Sequence, residues 1–267
     1  MDTSSDKHGE PPVIIVTGAS KGLGAAIADV ACDHGASVVL AARTGPELEM
    51  LAQQISLRGG RAISVVGDIS RFEDCQRIVE RAVQAFGKID VLVNNAGTIE
   101  PLGPVADLHH TDWSHHMAVN LFGPVMMCQL ALPYLRQTGG RVINVTSHAA
   151  EISLPGASAY SSSKAALNRF SKTLALEEPA VTVILFIPGE VDTAMQAVIR
   201  EKGKGKTDSG THQFFMDLHE QGKLLPPKTA ATAAVGLALK APIQWSGEIF
   251  EWDDEQVQEI VKTLQVR

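Results

Sequence analysis

The sequence predicts an α/β fold, a doubly wound parallel sheet with helices on both faces, and three observations carry that expectation. Unbroken apolar runs recur along the chain, at Val13-Ile14-Ile15-Val16, at Val142-Ile143-Asn144-Val145 and over 181–187. Runs of this length mark strands buried on both sides. Between them lie segments with apolar residues at helical spacing, as over 72–86, where Ile78, Val79, Val83 and Phe86 read as a core face. Finally, the first strand enters a glycine loop, Thr17-Gly18-Ala19-Ser20-Lys21-Gly22-Leu23-Gly24, followed by an Ala-rich helical pattern to about residue 34. Strand, glycine loop and helix in that order are the context of a phosphate-cradling dinucleotide site.

Composition limits the function classes. The 267 residues are 45% hydrophobic and 20% charged, ordinary values for a globular chain with a full core. A net charge of −7 argues against nucleic acid or an anionic membrane as the main partner. Cys32, Cys75 and Cys128 are scattered, without a C-x-x-C pair, which fits a reducing, cytoplasmic setting. No apolar run reaches the roughly 20 residues of a membrane span. Residues 1–12 are polar, lack the apolar core of a secretory signal, and read as a flexible tail before a single domain over 13–267.

Within the loop, Gly18 permits a tight turn, Gly22 lets a pyrophosphate approach the backbone, and Gly24 lets the helix pack close to the strand, with the helix N-terminus facing the anion. The second strand, over 37–41, ends in Ala42-Arg43-Thr44, and no acid lies between Asp33 and Glu47. An NAD-preferring site places an acid there for the ribose hydroxyl. Arg43 and Lys21 are instead two cations suited to a 2′-phosphate, which favours NADP(H), although each alone reads equally well as a solvated surface charge. A helix over 46–58 leads to a strand over 62–66 and then Gly67-Asp68-Ile69. Asp68 can accept from an adenine amino group with Ile69 covering the ring, or it can simply cap a turn. A strand over 89–93 precedes Asn94-Asn95-Ala96-Gly97, where asparagine side chains can tie strand ends together and the small pair leaves room for a flat ligand.

The chemistry concentrates between residues 139 and 178. The apolar run ending at Val145 is followed by Thr146-Ser147, and Tyr160-Ser161-Ser162-Ser163-Lys164 opens an Ala/Leu-rich helix. Residues four apart share a helix face, so the Tyr160 phenol and the Lys164 ammonium project together. A nearby cation lowers a phenol pKa, making Tyr160 a usable acid or base opposite the Ser147 hydroxyl. On its own, Y-x-x-x-K is a common accident of helical sequences; the rest of the chain has to decide.

Taken in order, the motifs resemble those of the short-chain dehydrogenases/reductases. They are T-G-x-x-x-G-x-G at 17–24, N-N-A-G at 94–97, Asn120, Ser147, Y-x-x-x-K at 160–164, and Pro188-Gly189 before Val191-Asp192-Thr193. The resemblance covers roughly residues 13–193. It implies a Rossmann-type fold with seven parallel strands in the order 3-2-1-4-5-6-7. It makes Tyr160 the general acid/base, with Lys164 tuning it and holding the nicotinamide ribose. Ser147 then positions the carbonyl, and Asn120 keeps a proton-relay water. The coenzyme contacts it implies are Gly18, Ser20, Lys21, Gly22, Leu23 and Gly24 in the loop, then Arg43, Asp68 and Ile69. Asn94, Ala96 and Gly97 follow, then Tyr160 and Lys164, and finally Pro188, Gly189, Val191 and Thr193. The helices over 113–136 and 157–177 are those through which family members pair, implying a homodimer or homotetramer.

Other stretches are less defined. The patch His109-His110-Thr111-Asp112-Trp113-Ser114-His115-His116 has spacing that permits a metal, but it opens a helix whose first turns are expected to face solvent, and no metal site is assigned. Residues 194–225 read as an irregular substrate lid, with a mobile Gly/Lys tip at 202–206 and Phe214, Phe215, Met216 and Leu218 as a roof. A helix over 227–240 precedes a seventh strand within 246–253. The chain lacks the D-G-G ending common in the family and is more similar to its sepiapterin reductase-like branch, which includes benzil-type diketone reductases. Substrate contacts are then Ser147, His148, Tyr160, Glu190 and Glu251, the last standing where that branch has a pterin-anchoring aspartate. The expected activity is NADPH-dependent reduction of a small ketone, diketone or aldehyde. Alcohol oxidation and a non-catalytic NADP(H)-sensing or scaffold role are the alternatives.

Overall fold

The computed structural model describes residues 10–264, so the expected tail over 1–12 falls largely outside the described residues. The strands are β1 Val13–Thr17, β2 Ser37–Ala42, β3 Arg61–Val66, β4 Val91–Asn94, β5 Arg141–Val145, β6 Thr182–Ile187 and β7 Ile249–Glu251. They form one sheet in the order β3-β2-β1-β4-β5-β6-β7, every neighbouring pair parallel. This is the expected doubly wound fold. The strand order reverses between β1 and β4, which opens a crevice at the carboxyl ends of these strands.

The helices are α1 Gly22–Asp33, α2 Gly45–Leu57, α3 Phe72–Phe86, α4 His110–Met117, α5 Gly123–Thr138, α6 Ser158–Glu177, α7 Ala194–Lys202, α8 Ser209–Glu220, α9 Pro227–Lys240 and α10 Glu255–Leu264. Side chains alternate across a strand, so neighbouring residues of one run enter opposite cores. Ile14, Val16, Leu40 and Phe186 meet Ile27 of α1, Leu48 of α2, Ala234 of α9 and Val257 of α10. Ile15, Val39, Leu92 and Val142 meet Ile78 of α3, Met127 of α5 and Leu174 of α6. Burial on both faces is why these strands carry no polar alternation.

Several expectations change. The helix read over 113–136 is α4 and α5 joined by a π turn, Ala118–Phe122, which carries Asn120. The stretch His110–Thr138 is long and apolar enough, by length and composition, to cross a membrane, although its apolar residues do not form one unbroken run. In the fold it lies on the sheet, with Met127, Cys128, Ala131 and Leu135 in the core. The supposedly irregular 194–225 connection is two helices, α7 and α8, the second capped by Asp208, whose carboxylate accepts from the Thr211 amide at 3.0 Å. The Gly/Lys tip is seated: a Cβ on Gly156 would lie 2.2 Å from the Lys206 carbonyl oxygen. Beyond β7, which is only three residues long, the chain adds α10.

Gly24 joins fold to site. A Cβ there would lie 2.3 Å from the Gly18 carbonyl oxygen and 2.4 Å from Asn95 Nδ2, so α1 can approach β1 only with glycine. Gly24→Ala is expected to lower the thermal midpoint by roughly 4–8 °C, from an overpacking cost of about 2 kcal/mol, and to weaken dinucleotide binding. Calorimetry and coenzyme titration of the purified variant check both.

Candidate active site

Side chains lock the strand ends around the crevice. The Thr17 hydroxyl donates to the Val93 carbonyl at 3.3 Å and accepts the amides of Asn95 and Ala96, both at 3.1 Å. Asn95 Nδ2 donates to the Thr17 carbonyl at 2.9 Å, joining β4 back to β1. Asn94 Nδ2 donates to Asn144 Oδ1 at 2.8 Å, joining β4 to β5, and Asn144 continues to Ser171 of α6. The asparagine pair thus ties strand ends as expected. The Asn94 side chain is 2% exposed and directed at β5. Ala96 and Gly97 remain open above it.

The glycine loop presents the N-terminus of α1. Gly18 and Gly22 adopt φ of +69° and +58°, and a Cβ on Gly18 would meet the Ala96 backbone at 2.8 Å. No side chain caps α1 and no acid lies in its first turn, which leaves its leading N–H groups for an anion. Leu23 contributes only backbone, because its side chain is in the core. Ser20 is half-buried, whereas Lys21 and Arg43 are exposed and form no ion pair among the described residues. Thr193, at the start of α7, faces the loop: its Cγ2 would be 3.2 Å from a Cβ on Gly22. Gly189 has φ of +75° and backs onto the Trp252 indole, and the amide of the buried Val191 donates to the Gly189 carbonyl at 3.1 Å, shaping the turn after Pro188. A cradle of this kind fits a dinucleotide.

The two residues after Gly67 have protein partners of their own. Asp68 caps a turn, its carboxylate accepting the Ser70 amide at 2.9 Å and hydroxyl at 2.8 Å. Burial would raise its pKa, but those bonds and the charge of Arg43 hold it below the usual carboxylate range. Ile69 is buried against Gly123 of α5, so its side chain is packing rather than a free cover for a ring.

At the head of α6, Lys164 is 5% exposed and donates to the Val145 carbonyl at 2.7 Å. Its Nζ lies 5.6 Å from the centre of the Tyr160 ring, so the two side chains project together. Burial lowers the ammonium from 10.5 to about 8. The phenol moves the other way: burial raises Tyr160 above the ordinary tyrosine value, and the nearby Ser147 hydroxyl only partly opposes it. That reverses the expected direction. The ammonium stands over the ring face, anchored to a backbone carbonyl, while desolvation penalises the phenolate. Ser147 Oγ accepts the Ala149 amide at 3.2 Å, which leaves its own proton to donate.

Around this centre, Tyr160, Leu154, Met195, Val198 and Phe215 pack on a small apolar cluster of Ile99, Leu102, Ala157 and Ile199. Phe215 thus packs on the same cluster as Tyr160, while Phe214 is 50% exposed and stacks edge-on against Phe215. On the other side His148 Nε2 and Glu251 Oε1 are 2.8 Å apart, both about half-exposed, forming a polar rim from β5 to β7. Glu190 is held by its backbone, its carbonyl accepting the Leu225 amide at 2.9 Å.

The family model for short chain dehydrogenase matches residues 12–204. The chain belongs to that family. Short-chain dehydrogenases bind nicotinamide cofactors, NAD or NADP. This member is 38% identical to the uncharacterized oxidoreductase YIR035C of Saccharomyces cerevisiae, over 91% of this chain and 96% of that one. The crystal structure of YIR035C superposes with a TM-score of 0.88, covering 93% and 99% of the two chains. The present chain is 32% identical to the benzil reductase ((S)-benzoin forming) IRC24 of Saccharomyces cerevisiae, over 92% of this chain and 97% of that one. L-sorbose reductase from Gluconobacter frateurii, solved with NADPH and L-sorbose, is 27% identical with a TM-score of 0.80, covering 91% and 95%.

Sequence reasoning missed one residue of this short-chain dehydrogenase site. His116 was placed in a solvent-facing histidine patch, yet it is fully buried, with its ring edge-on to Tyr160 at 6.2 Å between centres. Among the described residues, no group of three His, Cys, Asp or Glu is arranged to hold a metal. The overlooked signal was spacing: His116 precedes Asn120 by one helical turn and so shares its inward face. Asn120 itself is committed at both ends of its amide, accepting the Thr98 N–H at 2.9 Å and donating to the Thr98 carbonyl at 2.8 Å.

The buried ammonium makes a measurable prediction. Its folded pKa of about 8 lies below 10.5, so between those values the unfolded chain binds more protons and stability rises with pH. Against Lys164→Met, which does not titrate, the wild type should gain up to roughly 3 kcal/mol between pH 8 and 10.5. Urea unfolding of both proteins at pH 7 and pH 10 measures the difference; a pH-independent gap overturns it.

Proposed function

We propose that this short-chain dehydrogenase is an NADPH-dependent carbonyl reductase acting on a ketone, diketone or aldehyde, with Tyr160 as general acid. The observation that carries the reading is the half-buried Tyr160 phenol near the Ser147 hydroxyl, with the Lys164 ammonium over its ring, at the head of α6. A bound reduced nicotinamide supplies the hydride. The residues do the rest. Ser147 offers its proton to the carbonyl oxygen, and Tyr160 transfers its own as negative charge develops there. An alkoxide is far more basic than a phenolate, so this transfer stays downhill even with a raised phenol pKa. Lys164 then lies against the phenolate left behind and stabilises it. A phenol held neutral favours reduction over alcohol oxidation as the working direction.

Arg43 and Lys21, exposed and without carboxylate partners among the described residues, favour the 2′-phosphate of NADPH, and no acid lies at the end of β2. The apolar wall of Leu154, Met195, Val198 and Phe215 supports a hydrophobic substrate, and the likeness to a benzil reductase supports a diketone in particular. Glu251 is engaged by His148, which makes the benzil-type reading stronger than a pterin one. We further assign a cytoplasmic setting, on its three free cysteines, and a homodimer or homotetramer through helices 113–136 and 157–177, where Phe122 and Leu176 are exposed.

Tyr160→Phe should lower kcat at least about a thousandfold while leaving the NADPH dissociation constant within about threefold, since only proton transfer is removed. Absorbance loss of NADPH over diketones, quinones and aldehydes, with fluorescence titration of the coenzyme, tests it; normal turnover by the variant sinks the mechanism. Arg43→Asp should reverse the preference toward NADH by about tenfold or more, through loss of a charge-assisted phosphate contact. An unchanged ratio of kcat/KM for the two coenzymes would remove the phosphate argument.

A further inference from the structure

His116 sits where α4 runs into the π turn, and each of its ring nitrogens has a partner. Nδ1 is 2.7 Å from the Glu100 carbonyl, which can only accept, so Nδ1 carries a proton. Nε2 is 3.0 Å from Asn120 Nδ2 and 3.0 Å from Ser163 Oγ. The Asn120 amide cannot be turned round, because Thr98 offers an N–H to its oxygen and a carbonyl to its nitrogen. Its remaining N–H therefore points at His116 Nε2, which must supply a lone pair. The Ser163 hydroxyl has a single proton, which can turn to the Nε2 lone pair or to the Tyr160 carbonyl at 2.8 Å, inside the helix that carries the phenol. Protonating Nε2 would set N–H against N–H and place a second cation near Lys164 and His115. The Glu100 carboxylate does not offset this, since it pairs with Lys202 at 2.8 Å. Burial likewise holds the imidazole below its usual pKa.

We infer that His116 is a positioning residue of the active site: a neutral imidazole, protonated on Nδ1, that clamps Asn120, the 98–100 loop and the first turn of α6, and so fixes the Tyr160 ring against which its edge packs. The inference rests on the carbonyl-reductase reading for its kinetic consequence, but not for its geometry. Nothing in a structural staple alone requires this one tautomer, and a neutral side chain with one donor and one acceptor should replace it.

The test compares His116→Phe, which keeps a ring but offers neither bond, with His116→Gln, which keeps a neutral donor and acceptor. With benzil as substrate, the Phe variant should lose about tenfold or more in kcat with KM for NADPH unchanged, because buried polar partners are orphaned around the tyrosine, and the Gln variant should stay within about threefold of wild type. A Phe variant with wild-type kcat, or a Gln variant as impaired as Phe at an unchanged thermal midpoint, overturns the inference. Should the Phe variant fail to fold, the Gln variant decides on the same criterion. If the wild type reduces no carbonyl at all, the function reading fails, and imidazole 15N shifts judge His116 separately. A neutral Nδ1–H ring at pH 7 supports the clamp; an Nε2–H tautomer or a cation overturns it.

Discussion

A single hydrogen bond, from the buried Lys164 ammonium to the carbonyl of Val145, sets the geometry of the site. It crosses from the first turns of α6 to the last residue of β5, and so fixes how the helix that carries Tyr160 meets the edge of the sheet. A charge taken out of water is costly unless it is held by good acceptors. Displacing this ammonium from its carbonyl would leave it buried and unpaired. The energetic penalty of burying it thus becomes positional precision for the phenol one helical turn before it.

The strand ends that surround this bond are equally constrained. Thr17, Asn94, Asn95 and Asn144 spend their polar groups on one another and on neighbouring backbone, binding β1, β4 and β5 where the strand order reverses. A parallel sheet leaves its carboxyl edge without ladder partners, and these side chains satisfy it while keeping Ala96 and Gly97 clear. The same logic extends to the Thr98–Asn120–His116 network, in which the π turn brings Asn120 to bear on a loop instead of continuing a regular helix. Helical π turns are frequent at functional sites because they redirect groups that an α-helix would keep in register.

Much of this was legible in the residues. Local rules sufficed for the strands, the glycine loop, the phosphate-facing helix terminus and the Tyr160–Lys164 pair, because each depends on spacing of two, three or four residues. The sign of the Tyr160 pKa shift was not legible. Spacing places a cation beside the phenol, but only burial and the anchoring of that cation to Val145 show that desolvation outweighs attraction. The protein partners of Asp68 and Asn94 were not legible either: a side chain after a strand can face the crevice or serve the turn, and only the fold shows which protein groups it meets.

The sequence by itself determined the class of fold and which chemical groups are available, since these follow from periodicity and from residue types at short spacing, while the strand order was implied by the resemblance of its motif succession to a known family. Tertiary structure alone decided which of those groups are buried, that His116 meets Asn120 and Tyr160, and that residues 194–225 hold two helices. Those outcomes depend on contacts between residues tens of positions apart, where the cost of burying a polar group is settled by neighbours that no local pattern identifies.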